Sequence, residues 1–249
     1  METGTFTIEA RTEATHWWFV GRRKLFAREI ARAGVPTTAR VLDVGTSTGT
    51  NLRMLRERDF TRVEGLDVSP EAARYCAEKG LGSVHVGDVC AMPFNDETFD
   101  LVLATDVIEH VDDDGQALAE IARVLRPSGL AIVTVPAFQT LYGLQDRVGR
   151  HRRRYLKAGL LARLGRAGLQ VESSFYFNYL LFLPIWAARR LIDLLGARLD
   201  SEAEVNSHAM NWLLGKVFAL DIWSARALSP PFGVSLFELV RKPGAAHAG

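Results

Sequence analysis

The residues best suited to chemistry lie in the segment Val41–Asn51, where an apolar run passes through Asp43 into a turn containing Gly45 and Gly49. Glycine lacks a β-carbon, so both positions allow a positive φ angle and let a ligand lie against the backbone. The carboxylate of Asp43 would repel a diphosphate at this turn. We therefore expect a nucleoside-containing ligand that carries a cationic or hydrogen-bond-donating group.

Two further acids follow later apolar runs. Asp67 ends the run Val63–Asp67, and an acid about 20 residues beyond a glycine turn is placed to accept hydrogen bonds from both ribose hydroxyls. Asp88 follows the run Ser83–Val86, where its carboxylate can accept from an adenine amine and Val89 offers an apolar face. S-adenosylmethionine has a ribose, an adenine and a cationic sulfonium, so the three acids together favour this cofactor.

A dinucleotide-binding protein is the main alternative, because it also places an acid on the ribose after its second strand. Its loop has the pattern G-x-G-x-x-G and faces a pyrophosphate. Here the order is Asp43-x-Gly45-x-x-x-Gly49, and a further acid is present at Asp88. The spacing therefore favours S-adenosylmethionine over a dinucleotide.

Hydrophobic periodicity indicates the elements that position these acids. Apolar runs alternate with amphipathic segments from Arg40 onward, which predicts an α/β fold with a parallel sheet and right-handed crossovers. The predicted strands are Val41–Val44, Val63–Asp67, Ser83–Val86, Phe99–Ala104, Leu130–Val135, Gln170–Phe177 and Ser235–Arg241, and the predicted helices include Asn51–Asp59, Pro70–Lys79 and Gly115–Leu125.

Two segments lie outside this alternation. The N-terminal segment, with its aromatic and basic cluster Thr15–Lys24, is expected to form cap helices, and the long apolar segment before the last strand predicts two or three inserted helices. The insertion fits a lid, a dimer interface or a membrane-surface contact. We expect one domain, 1–249, made of a cap (1–35), a cofactor-binding core (36–178), the helical insertion (179–231) and the last strand (232–242).

Composition limits the kinds of partner and the cell compartment that we expect for the protein. Its 30 basic and 29 acidic residues give a net charge of +1, so no global field attracts nucleic acid. Cys76 and Cys90 are too few and too isolated for a disulfide framework, which suits a reducing cytoplasm. We expect no secretion signal, no membrane span and, because the histidines are scattered, no metal site. The expected state is a cytoplasmic monomer or homodimer.

With these motifs the chain resembles the class I S-adenosylmethionine-dependent methyltransferases, in particular a type 11 and type 23 subgroup that acts on small molecules. The resemblance extends from about Ala14 to Lys242 and implies a Rossmann-like seven-stranded sheet whose last strand runs antiparallel. Many members have glycine where this chain has Ser47. The segments that carry the resemblance are Val41–Asn51, Gly65–Ser69, Gly87–Val89, Phe99–Val102, Asp106–Val111 and Leu125–Leu130.

The resemblance also implies which residues hold the cofactor. In the subgroup a segment like His16–Arg23 closes over the cofactor, and an arginine, here Arg22, meets its carboxylate. The full set of expected cofactor-binding residues is Trp17, Arg22, Asp43, Gly45, Thr46, Gly49, Asn51, Asp67, Val68, Asp88, Val89 and Asp106.

Three residues are candidates for acting on the methyl acceptor. His110 follows a strand that faces the cleft, where it can serve as a general base near neutral pH or simply line the pocket. His151 and Tyr155 lie in the arginine-rich segment 147–155, which suits an acidic group on the acceptor or a solvated helix start.

We therefore predict an enzyme that transfers a methyl group from S-adenosylmethionine to a small, partly apolar acceptor, by O- or N-methylation, in specialised metabolism. The expected partner is a small molecule rather than nucleic acid. Two alternatives stay open: an RNA or protein methyltransferase that uses the arginine-rich segment, and a cofactor-binding descendant that does not methylate.

Overall fold

The computed structural model describes residues 12–195 and 207–244. After helix α1 (Trp17–Arg32), strands and helices alternate along the chain. The elements are β1 (Arg40–Val44), α2 (Thr50–Arg56), β2 (Arg62–Asp67), α3 (Pro70–Glu78), β3 (Ser83–Val86), β4 (Phe99–Thr105), α4 (Asp114–Val124), β5 (Leu125–Pro136), a 3₁₀ turn (Gln139–Leu141), α5 (Leu144–Val148), α6 (Lys157–Arg166), β6 (Gln170–Phe177), α7 (Phe182–Leu195), α8 (His208–Leu228) and β7 (Ser235–Arg241).

The seven strands form one sheet in the order β3-β2-β1-β4-β5-β7-β6. Strand β1 is parallel to β2 and β4, whereas β7 is antiparallel to both β5 and β6. The predicted α/β, Rossmann-like seven-stranded sheet with an antiparallel last strand is thus confirmed. Because β1, β2 and β4 run in the same direction, Asp43, Asp67 and Asp106 come to the same edge of the sheet.

Strand β5 differs most from its predicted bounds. It begins at Leu125, immediately after helix α4, instead of at Leu130. Leu125 pairs with Phe99, and the register between the two strands then shifts before Leu130 pairs with Leu101. Pro127, Ser128 and Gly129 therefore produce an irregularity within strand β5 instead of ending the strand. Pairing between β4 and β5 continues on both sides of this irregularity, as it does at a β-bulge.

The core lies in two layers, one on each face of the sheet. Leu42 and Val44 of β1 pack into one layer, whereas Val41 packs into the other. This alternation is expected for a strand covered on both faces. Helix α4 contributes Ile121 to the first layer, and helix α1 contributes Phe26 to the second.

Helix α8 of the insertion packs on helix α1. The fully buried ring of Phe218 lies 5.3 Å from the ring of Trp17 and 5.1 Å from that of Trp18, measured between centroids. A β-carbon at Gly21 would lie 2.2 Å from Phe218, so glycine is what allows the two helices to approach this closely. Asp221 accepts hydrogen bonds from the backbone of Asn178, at 2.6 Å, and of Leu180, which ties α8 to the end of β6.

The opposite side of the insertion is apolar and open to solvent. Trp212 and Trp223 of α8 are exposed, as are Leu183 and Leu191 of α7. The insertion thus contains two helices within the described residues, and residues 196–206 lie outside them. Among the helices that the structure describes, none is long and apolar enough to cross a membrane.

We expect Phe218→Ala to lower the free energy of unfolding by about 3–5 kcal/mol, because it leaves a cavity between α1 and α8. Trp223→Ala on the same helix is the control, since this side chain is 70% exposed. Its effect should stay within about 0.5 kcal/mol. Urea denaturation of the two variants and the wild type measures both. Equal losses of unfolding free energy from the two substitutions would contradict the conclusion that Phe218 holds α8 on α1.

Candidate active site

The glycine turn after β1 is held in the left-handed backbone region. Gly45 has φ +69° and Gly49 has φ +74°. A β-carbon would lie 2.6 Å from Val107 in the first case and 2.8 Å from the thiol of Cys76 in the second. Ser47 also has a positive φ, of +47°, which costs an L-residue about 1–2 kcal/mol. The glycine that many family members have at this position would adopt the conformation without that cost.

Asp67 fixes this turn to the end of β2. One carboxylate oxygen accepts from the backbone N–H of Ser47 at 2.8 Å, and the other accepts from that of Ser69 at 2.8 Å. An ionised carboxylate can accept about four hydrogen bonds, so each oxygen keeps capacity for a further donor. This arrangement suits the expected role of Asp67 as an acceptor for ribose hydroxyls.

Asp43 is fully buried at the end of β1. Its Oδ1 accepts from the side-chain amide of Asn51 at 3.0 Å, whereas its Oδ2 has no hydrogen-bond partner among the described residues. Burial raises the pKa of Asp43 from its ordinary 3.8 to about 7, although the Asn51 hydrogen bond opposes the shift. A buried carboxylate with a free oxygen is suited to a ligand that donates a proton or carries positive charge.

Arg22 connects helix α1 to the end of β4. Its guanidinium lies 2.9 Å from Asp106 Oδ2, and the hydroxyl of Thr134 donates to the other oxygen of Asp106 at 3.0 Å. The same guanidinium lies over the rings of Trp18 and Phe26, at 5.6 and 5.3 Å from their centroids. The ion pair between Arg22 and Asp106, with two aromatic rings beside the guanidinium, thus attaches helix α1 to the end of β4.

Helix α1 and the strand edge enclose a cavity of about 180 Å³. Five residues of the expected cofactor set are among those that line it. Phe19 and Arg23, from the segment expected to close over the cofactor, also line it. Phe26 lines it too and was not predicted, although it shares one face of α1 with Arg22 by helical spacing. The lining consists of Glu13, Phe19, Arg22, Arg23, Phe26, Gly45, Thr46, Ser47, Thr50, Asn51, Thr105 and Asp106.

Seven residues of the expected cofactor set do not line this cavity: Trp17, Asp43, Gly49, Asp67, Val68, Asp88 and Val89. Trp17 packs against Phe218, and its backbone N–H donates to the side chain of Asn211 at 2.9 Å. Val68 and Asp88 are exposed, and Val89 is buried in the core. Asp88 accepts from the backbone N–H of Cys90 at 2.8 Å.

The structure brings His110 and His151 together, with ring centroids 4.7 Å apart. The pKa of His110 lies below its ordinary value, because desolvation and then the neighbouring His151 disfavour the charged ring. Asp146 holds His151 through a 2.9 Å contact between Oδ1 and Nδ1. Although Asp146 is buried, its pKa is lowered, since His151 and Arg154 both hydrogen-bond to its carboxylate.

Tyr155 is placed differently from the prediction that it acts on the acceptor. Its buried hydroxyl donates to Asp114 at 2.9 Å and lies 3.2 Å from the backbone oxygen of Ile108. Burial, followed by the contact with Asp114, raises the pKa of Tyr155 far above its ordinary value. The side chain therefore stabilises the loop after β4 and does not reach the cavity.

The arginine-rich segment is largely neutralised within the protein. Arg152 pairs with Asp112, Arg153 lies 3.3 Å from Asp114, and Arg154 lies 2.8 Å from Asp146. These arginines also donate to backbone carbonyls, as Arg154 does to Ala137 at 3.0 Å. Their main contacts are thus structural.

We expect Asp43→Asn to change how stability depends on pH. Because folding raises the pKa of Asp43, the folded protein binds this proton more tightly than the unfolded chain, so the carboxyl makes stability fall as pH rises from about 4 to about 7. The free energy of unfolding of Asp43→Asn relative to wild type should increase by on the order of 1–3 kcal/mol between pH 5 and pH 8. Denaturant titrations at both pH values measure it, with Glu78→Gln as an exposed control. Parallel declines in Asp43→Asn and wild type would contradict the assignment.

Comparison with known proteins agrees with this fold. Residues 42–133 match a family model described as a methyltransferase domain. The ubiquinone/menaquinone biosynthesis C-methyltransferase UbiE of Desulfotalea psychrophila is 36% identical over 122 residues, which are 45% of this chain and 49% of that protein. Norajmaline N-methyltransferase of Rauvolfia serpentina is 32% identical over 109 residues, 41% of this chain and 37% of that protein. The chain thus spans half or less of the length of these relatives.

Among solved structures, the (4+2)-cyclase SpnF superimposes with a TM-score of 0.60 at 22% identity, over 88% of this chain and 80% of that one. At this identity the likeness concerns the fold alone. The matched segment 42–133 contains the glycine turn, Asp67 and the loop after β4, and the sequence relatives are methyltransferases. Residues 42–133 therefore match a methyltransferase domain, and the seven-stranded sheet is that of the class I S-adenosylmethionine-dependent methyltransferases.

Proposed function

We propose that this protein transfers a methyl group from S-adenosylmethionine to a small, partly apolar acceptor, by O- or N-methylation. One observation carries the proposal. Asp43, which is hydrogen-bonded to the cavity-lining Asn51, keeps a carboxylate oxygen without a donor, and Arg23, which lines the cavity, keeps a buried Nη1 without an acceptor among the described residues. An anionic and a cationic group with free hydrogen-bonding capacity are complementary to the amino and carboxylate groups of an amino acid.

The residues present fit the cofactor on these grounds. Asp43 would take its ammonium group, Arg22 and Arg23 its carboxylate, and Asp67 its ribose hydroxyls. Asn51 holds Asp43 in place through a 3.0 Å bond and also donates to Thr105 at 3.1 Å. When bound, the cofactor supplies an electrophilic methyl group on a cationic sulfur.

The contribution of the chain to the reaction is positioning and proton removal. Bringing acceptor and methyl group into line contributes most of the rate in such a displacement. His110 has a lowered pKa, so its ring is mainly neutral near pH 7 and can take the proton that an alcohol or amine acceptor loses. His151, 4.7 Å away, can share this task.

A small acceptor is favoured over RNA or protein because of the ion pairs in the arginine-rich segment. Arg152, Arg153 and Arg154 are paired with Asp112, Asp114 and Asp146, so they offer little free charge to phosphates. Phe19 and Phe26 give the cavity an aromatic wall, which supports an acceptor with an apolar portion. Specialised metabolism is a setting consistent with such an acceptor.

A second candidate is a cofactor-binding protein that does not methylate. The solved structure of a cyclase has the same fold as this chain, and that enzyme is named for a reaction other than methyl transfer. This observation supports the second candidate. The two candidates make the same prediction for cofactor binding and opposite predictions for methyl transfer.

Calorimetric titration with S-adenosylmethionine and with S-adenosylhomocysteine tests the cofactor site. Both should bind with 1:1 stoichiometry, and Asp67→Ala should weaken binding by about 1–3 kcal/mol, the value of a lost hydrogen bond to a charged group. Glu78→Ala, an exposed acid on α3, is the matched control and should leave binding unchanged. Binding of NADH instead, with no binding of either sulfur compound, would overturn the proposal.

Transfer of a labelled methyl group to a panel of phenols, amines and short RNAs tests the acceptor class. We expect label on a phenol or amine with an apolar substituent, at a rate that changes little between 50 and 200 mM salt. An RNA acceptor would show a steep loss over this range, because counterions compete with phosphate contacts. Cofactor binding without transfer to any compound in the panel would favour the non-methylating candidate.

A further inference from the structure

Three side chains of the kinds that bind metal ions lie close together in the loops after β4 and α5. Glu109 and His110 follow strand β4, and His151 follows helix α5, so 41 residues separate the two histidines in sequence. One carboxylate oxygen of Glu109 and one nitrogen of each imidazole all lie within 4.8 Å of one another. The sequence spacing gave no indication of this cluster, because only the tertiary fold brings the two loops together.

Glu109 is the residue that needs an explanation. Its side chain is 0% exposed, and neither carboxylate oxygen has a hydrogen-bond partner in the described part of the chain. A buried carboxylate without a partner is costly, and protonation would not satisfy it, since the new O–H would also lack an acceptor. Nearby charges of Arg22 and Arg154 only partly offset the desolvation of Glu109. A cation in contact with the carboxylate would satisfy both oxygens.

His151 has the outer contact that metal-binding imidazoles usually make. The Nδ1 atom of His151 is 2.9 Å from Oδ1 of Asp146, which leaves Nε2 as the ligand atom. Asp146 is itself buried and held by Arg154 at 2.8 Å. A carboxylate or carbonyl on the far nitrogen orients the ring and makes it a better ligand.

The donor set indicates the class of ion. Two imidazoles and one carboxylate suit Zn²⁺, Fe²⁺ or Co²⁺, whereas Mg²⁺ and Ca²⁺ prefer oxygen ligands alone. Ligands about 2.1 Å from one tetrahedral ion are about 3.4 Å apart. The observed 4.8 Å limit therefore needs a contraction of about an ångström, which the exposed ring of His110 can provide by rotation.

We propose that Glu109, His110 and His151 form a binding site for a divalent transition-metal ion of the Zn²⁺ type. Three protein ligands leave at least one coordination position open. That open position would take an oxygen atom of the methyl acceptor, and the ion, in place of His110 and His151 as bases, would then promote loss of its proton. This last role rests on the proposed function, whereas the metal site does not.

Metal binding is measured on the whole chain, freed of metal by a chelator, without cofactor or acceptor. Titration with Zn²⁺ should show one site, and Co²⁺ should give visible absorption bands from ligand-field transitions. Glu109→Gln, His110→Gln and His151→Gln should each weaken Zn²⁺ binding at least tenfold and remove the Co²⁺ bands. His85→Gln is the control, because His85 lies on β3 against Glu64, away from the cluster.

The outcomes separate this proposal from the proposed function. Absence of saturable Zn²⁺ binding, or equal binding by wild type and the three cluster variants, overturns the metal site. His110→Gln changes an exposed side chain and serves if Glu109→Gln does not fold, with thermal melts as the check. Because no methyl donor is present, a failure of methyl transfer leaves the binding result intact, and loss of the metal site leaves cofactor binding untouched.

Discussion

A carboxylate buried at the end of the central strand β1 is the constraint on which the site depends. Strand β1 pairs with β2 on one side and β4 on the other, so Asp43 lies between both neighbours and is shielded from water. Asn51 donates one hydrogen bond to Asp43. Burial nevertheless raises the pKa of Asp43, so the ionised carboxylate is still less favourable here than in water. An ionised Asp43 is therefore unfavourable in the folded protein, and a cationic ligand bound beside it would offset this cost and so link binding to folding stability.

Much of the sheet could be predicted because period-two and period-3.6 patterns are local. The predicted bounds of β3, β6 and β7 agree with the structure, since turn residues flank these runs. Strand β5 extends further toward its N-terminus because pairing with a neighbour decides where a strand begins. The antiparallel direction of β7 came from the family resemblance, because periodicity carries no information on strand direction.

The positions of residues that follow strands could be predicted from the sequence, whereas contacts between distant segments could not. Asp43, Asp67 and Asn51 were identified from the motif around the glycine turn. Trp17 was expected at the cofactor but packs on Phe218, a contact 201 residues away in sequence that no local pattern reports. The residue type of Tyr155 suggested a role toward the acceptor. Its buried hydrogen bond to Asp114, which the sequence does not reveal, indicates a structural role instead.

The contact between α1 and α8 has a consequence for how quickly the cavity exchanges its contents. Helix α1 forms one wall of the cavity with Phe19 and Arg22, and its other side holds Phe218 of α8. Withdrawing α1 would expose those rings to water and break the pair with Asp106, so opening is a cooperative event on the scale of two helices rather than a side-chain fluctuation. Departure of a spent ligand is then a candidate for the slow step of the cycle, and it is governed by an interface that never touches the reacting atoms.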